Sequence, residues 1–153
     1  MNEAEPRRKF LAQLAAGLVL PAAGLSIARA QIDQLDPMLW VFTKGVPVQK
    51  GRVKLELPVL VDNGNAVPLT VSVDSPMTAN DYVKSIHLFS QRNPVRDMAR
   101  FYLGPRAGRA KVSTRVRLAG SQNVTAVAAL SDGSFWADSL HILVTLSACM
   151  DES

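Results

Sequence analysis

A single cysteine, Cys149, stands among 153 residues, so no internal disulfide can hold the fold. There are only two histidines, and His87 has no second ligand at a spacing useful for metal. HExxH, Gly-x-Ser-x-Gly and any pair of cysteines are missing. The signatures of zinc proteases, serine hydrolases and dithiol redox enzymes are missing with them. Gly104-Pro105-Arg106-Ala107-Gly108-Arg109 contains glycines but lacks the lysine and hydroxyl residue of a phosphate loop. No repeat and no alternation of strands with long helices is visible. Past residue 30 no stretch is long and apolar enough to cross a bilayer. Nothing in the pattern asks for a cofactor or a resident metal.

Excess charge of one sign is also scarce. The formal charge is +4, and Arg7, Arg8, Lys9 and Arg29 contribute to it from the first thirty residues. Without residues 1–30 the balance is about +2, which gives no reason to expect a nucleic-acid partner. Arg92, Arg96, Arg100, Arg106 and Arg109 make the middle of the chain locally basic. They suit either solvated loops or the attraction of an anion or an acidic partner.

What is present begins with an export signal. Arg7-Arg8-Lys9-Phe10-Leu11 precedes an apolar, acid-free stretch, and Ala28-Arg29-Ala30 has the small-x-small form of a cleavage site. The consecutive arginines are those of a twin-arginine signal. Residues 1–30 are therefore expected to be removed, leaving a mature protein with no membrane span, outside the cytoplasm. Residues 31–50 form a lead-in, with a short helical piece offering Leu35, Leu39, Trp40 and Phe42 as an apolar face.

From residue 52 the hydrophobic period is two. Val53, Leu55 and Leu57 alternate with polar residues, as do Leu69, Val71 and Val73, and then Val112, Thr114, Val116 and Leu118. Asp62-Asn63-Gly64-Asn65 is a strong turn signal. Residues 82–89 are rich in β-branched and aromatic side chains, and residues 96–100 read as a connection to Phe101-Tyr102-Leu103. The small side chains of Val124, Ala126 and Ala128 predict tight packing against a second layer. Phe135-Trp136, a polar link at 137–139 and a final strand at 140–146 complete the pattern. Six to eight short strands between Gly, Pro and Asn turns predict an all-β protein, a β-sandwich over residues 51–146 with a cysteine-bearing tail at 147–153.

The tail reads Ser147-Ala148-Cys149-Met150-Asp151-Glu152-Ser153. A thiol near a terminus is an attachment point that can move between partners. Its working form is the thiolate, which Asp151 and Glu152 disfavour. Pairing Cys149 with His141 as in a cysteine-dependent enzyme requires the tail to fold back along its own strand.

These stretches together resemble the SoxY family, the sulfur-carrying subunit of the bacterial thiosulfate-oxidising system. The resemblance runs through LPVLVDNGNAVPLTVSVDSPM (57–77), YVKSIHLFSQRNP (82–94), ARFYLGPRAG (99–108), STRVRLAGSQNVTAVAALSDGSFW (113–136) and VTLSAC (144–149). It implies an immunoglobulin-like β-sandwich in the periplasm, a SoxZ-like β partner, and separate sulfur-processing enzymes that load, oxidise and hydrolyse anionic sulfur species. Carried onto this chain, Cys149 bears the cargo covalently, Ser147, Ala148 and Met150 flank it, and the protein itself is no enzyme. The family's arm reads Gly-Gly-Cys-Gly-Gly. Ser147-Ala148 and Met150 depart from it, as does the acidic end. The alternative is a SoxY-like binding subunit whose cysteine is not the attachment site.

Overall fold

The alternation that marks the strands in the sequence also sorts their side chains in space. The computed structural model describes residues 37–146. The expected export signal, the start of the lead-in, and the tail with Ser147, Ala148, Cys149 and Met150 lie outside those residues. Among the described residues the elements are α1 (Pro37–Thr43), β1 (Val48–Gln49), β2 (Val53–Glu56), β3 (Leu60–Asn63), β4 (Val67–Val73), β5 (Val83–Ser90), β6 (Asp97–Tyr102), β7 (Lys111–Val116), β8 (Gln122–Leu130) and β9 (Phe135–Leu146). The all-β expectation holds.

The strands form two sheets. One runs β1-β9-β8-β5-β6, with β3 also paired to β9, and the other runs β2-β4-β7. Both turn their apolar residues toward one core. Val53, Leu55, Val67, Leu69 and Val71 meet Ile86, Leu88, Val124, Ala126, Ala128 and Ile142 there. Ala126 and Ala128 are fully buried in the core shared by the two sheets. Outward positions are polar: Lys54 pairs with Glu56, and Thr70 Oγ1 lies 2.9 Å from Ser113 Oγ. No hydrogen-bonded pairing joins β6 to β7 among the described residues. The sheets thus curl around the core and stay partly open along that side.

The turn at Asn63 forms as its residues require. The Asn63 side chain accepts a hydrogen bond from Asn65 N at 2.9 Å and caps a 3-10 turn over Gly64–Ala66. It does not close a hairpin. β3 pairs with β9 and β4 with β2 and β7, so this turn carries the chain from one sheet to the other.

Two readings of the sequence need correction. Residues 137–139 are not a link: β9 runs unbroken over twelve residues from Phe135 to Leu146. Their polar side chains find partners inside the fold. Asp138 Oδ2 accepts Leu55 N at 2.9 Å from the other sheet, and Ser139 Oγ lies 2.9 Å from Thr125 Oγ1. Residues 97–100 are not a connection either, but the first part of the edge strand β6, where charges such as Asp97 and Arg100 are tolerated and discourage edge-to-edge pairing.

The described part of the lead-in packs on the outer face of the larger sheet. Leu39 of α1 is buried with Phe89, Val127 and Ala137, and Phe42 and Val48 pack against them. Trp40 points away and is 70% exposed. α1 stops at Gly45, whose φ of +80° is costly for any other residue and whose amide bonds to Trp40 O at 3.1 Å. β1 then adds a short parallel pairing, Val48 with Phe135 and Gln49 with Trp136.

Candidate functional site

The tail leaves the domain at the end of β9, and the residues there decide how firmly its root is held. β8 pairs with β9 only as far as Gln122 opposite Ile142. Beyond that point β3 takes over on one side, with Leu60 opposite Leu143, Val61 opposite Val144 and Asn63 opposite Leu146. On the other side a side chain replaces the missing strand. Ser121 Oγ accepts Val144 N at 2.9 Å and lies 3.4 Å from Val144 O as a donor. Thr145 Oγ1 donates to Asp62 O at 2.9 Å. Around Val144 the strand is therefore held on both edges, by Ser121 at Val144 itself and on the β3 side at Leu143, whose amide donates to Val59 O at 2.8 Å.

Two loops are bound in behind this root. Gln122, almost fully buried, accepts Arg92 N at 2.8 Å and donates to Asn93 Oδ1 at 3.0 Å. Asn93 Oδ1 also accepts Ala119 N at 2.9 Å, and its Nδ2 donates to Arg117 O at 2.8 Å. The Arg92 guanidinium donates to Ser121 O at 3.2 Å. Arg92 and Arg117 thus stand beside the arm's root on a fixed backbone. Cys149 lies three residues past Leu146 in the sequence, outside the described residues. Leu60 (62% exposed) and Leu143 (48% exposed) form an apolar pair on the sheet's outer face at the same end.

The other side chains singled out in the sequence scatter. His141 is exposed, with Nδ1 2.8 Å from Asn123 Oδ1. His87 is 4% exposed and sits on the face of β5 opposite Ile86 and Leu88, its ring centroid 4.1 Å from that of Phe42. Burial pushes the His87 imidazole below its ordinary pKa, against the pull of the Asp97 carboxylate. His87, Asp97, Phe42 and Tyr102 line a cavity of about 560 Å³ under α1. His87 is opposite Val127, which is opposite Ala137, nine residues before Leu146. At about 3.3 Å per residue that is about 30 Å of strand, so this cavity lies well away from the end of β9. Among the large aromatic side chains, Trp40 and Tyr102 (75% exposed) are open to solvent. Phe101 packs on the core, and Trp136 donates its Nε1 to Ser134 Oγ at 3.0 Å. Among the described residues no group of three or more His, Cys, Asp or Glu is arranged to hold a metal.

Sequence reasoning missed Ser121, Gln122 and Asn93. Each is a polar residue in or beside a turn, and only the fold shows that its side chain substitutes for a strand or fastens a loop.

Comparison with known proteins places this arrangement. The family model described as "Sulfur oxidation protein SoxY" matches residues 40–149. No curated protein matches the chain. Among solved structures, the sulfur carrier protein SoxY from Chlorobium limicola f thiosulfatophilum is 23% identical with a TM-score of 0.59, over 79% of this chain and 100% of that one. A superoxide reductase (neelaredoxin) from Ignicoccus hospitalis is 21% identical with a TM-score of 0.55, over 61% of this chain and 80% of that one. The superoxide reductase from Nanoarchaeum equitans is 12% identical with a TM-score of 0.53, over 63% of this chain and 100% of that one. At these identities the structural likeness speaks for the fold alone.

Proposed function

The chain belongs to the SoxY family of sulfur oxidation proteins, and on that premise we propose that Cys149 is the residue on which it holds sulfur intermediates. The protein is a sulfur carrier and not a catalyst. The observation that carries the assignment of the residue is the extent of the family match, which runs from residue 40 to Cys149 itself. A thiol that follows a strand held on both edges suits a carrier. The anchor keeps the domain in place while the arm presents the cargo. Joining the thiol to thiosulfate withdraws two electrons and a proton, and the electrons leave to a separate redox partner. Hydrolysis of a terminal sulfonate with one water returns sulfate. Both steps belong to other proteins, and the carrier supplies only the sulfur atom they work on.

The remaining parts of the reading follow from that role. Residues 1–30 are the twin-arginine export signal, 31–50 the lead-in, 51–146 the β domain and 147–153 the arm. Family membership accords with the periplasm. Two sheets facing one core support an immunoglobulin-like sandwich. The partner is a SoxZ-like β subunit, for which exposed Trp40 and Tyr102 at one end and Leu60 and Leu143 beside the arm offer apolar contact. Sulfur-processing enzymes then meet the arm in turn. Replacing the chain in its host by the Cys149→Ala variant tests the assignment. Loss of thiosulfate oxidation with normal protein levels supports it. Undiminished oxidation would make this a binding subunit whose cysteine is not the attachment site.

A further inference from the structure

The partly open side of the fold holds a second feature that the thiol does not account for. Where β6 and β7 fail to pair, a cleft of about 290 Å³ is lined by Arg115 and Arg117 on one side and by Asn93, Val95 and Met98 on the other. We propose that this cleft is a reversible binding site for the free sulfur oxyanion, held close to the arm that carries it. The proposal rests on the carrier reading for the identity of the anion.

Three observations support it. The first is charge. Asp97 is the sole acid between residues 92 and 117, and Arg100 already occupies its Oδ2 from Nε at 2.7 Å. Arg115 and Arg117 make no ion pair among the described residues. Two guanidinium groups with no local acid favour a divalent oxyanion, whose oxygens match their forked donors. The second is rigidity. Asn93 Nδ2 holds Arg117 O at 2.8 Å, and Asn93 Oδ1 is itself fixed by Ala119 N and Gln122 Nε2. The backbone that carries Arg117 is therefore set in advance, which lowers the cost of ordering the site on binding.

The third is position. Leu146, the last paired residue before the arm, lies opposite Asn63. The next residue, Gly64, accepts Leu118 N at 2.9 Å, and Leu118 follows Arg117. The cleft is thus joined to the arm's root by one strand pairing and one backbone hydrogen bond. An anion held there is concentrated near the end of β9, from which the chain runs on to Cys149 and to two acids, Asp151 and Glu152, that repel it. Arg117 offsets that repulsion from a backbone held by Asn93.

The test uses the full chain carrying Cys149→Ser, so that no covalent adduct can form. Sodium thiosulfate is titrated in against sodium chloride at constant ionic strength, with backbone and arginine side-chain NMR shifts as the readout. The expected result is saturable movement at Asn93, Arg115, Val116 and Arg117. Arg115→Gln and Arg117→Gln should each weaken the dissociation constant by about tenfold, as for one charge-assisted hydrogen-bonded contact. Both arginines are exposed, so the variants should fold, which their unshifted core resonances would show. Shifts that never saturate would overturn the proposal, as would shifts reproduced by nitrate at equal ionic strength or left unchanged in both variants. Adduct formation on Cys149 is measured separately, so failure of this site and failure of the carrier reading give different results.

Discussion

The Ser121 hydroxyl takes the place of a strand for Val144: it receives the Val144 amide at 2.9 Å and lies 3.4 Å from the Val144 carbonyl as donor. This contact sits three residues before the arm's tail begins, on the side of β9 where β8 has ended. The Ser121→Ala variant should lose about 1 kcal/mol of stability, the usual net value of one such bond. Amide exchange should quicken at Val144 but not at Ile142, which β8 still holds. Unchanged exchange at Val144 would show that the Ser121 hydroxyl does not protect its amide.

A second contact ties the sheets together. Asp138 Oδ2 on β9 accepts Leu55 N on β2 at 2.9 Å. Among the described residues Leu55 lies on an edge strand paired with β4 alone, and without Asp138 its amide loses this acceptor. Asp138→Ala should cost about 1–3 kcal/mol. Asp138→Asn, which keeps an acceptor oxygen, should recover most of that. Urea melts of the two variants give the comparison, and equal losses would show that charge rather than the hydrogen bond is at work.

These two residues also mark what could be read from the sequence. The strands at 53–56, 67–73 and 111–116 follow from period-two alternation because one face of each is buried and the other wet. Asp138 and Ser139 break the pattern and read as a link. Their partners, Leu55 and Thr125, are far off in the chain, so no local signal restores the strand. β5 is buried on both faces, under α1 and over the core, and its register shifts between Val83 and Ser85. That mixed spacing is why its alternation was indistinct. The parallel pairings of β1 and β3 with β9 depend on which segments meet, which side-chain period does not encode. At the site, Cys149 stood out by its solitude. Ser121, Gln122 and Asn93 gave no signal, because turn residues that fasten an arm are of the same types as turn residues that face water.

His87 gives the fold a pH dependence of definite sign. Its pKa is lowered in the folded state, chiefly by burial, so protonation favours the unfolded chain. Its contribution is fully present above the unfolded value of about 6.5 and is lost as pH falls from there toward the lower folded value. Between pH 7.5 and 5.5 the denaturation midpoint should fall more steeply for the native protein than for His87→Gln. Asp97 and Arg100, which also act on the ring, remain in both proteins, so the difference in slope belongs to His87. Parallel slopes would contradict the assignment.

The most direct test of the carrier role is the intact mass of the protein recovered from its native compartment, alongside the Cys149→Ala variant. The native protein should appear with added masses matching sulfur, sulfonate or thiosulfonate groups, removable by thiol reductant and mapped by fragmentation to Cys149. The variant should appear at its bare mass. The same additions on the variant, or their location on any residue other than Cys149, would contradict the account.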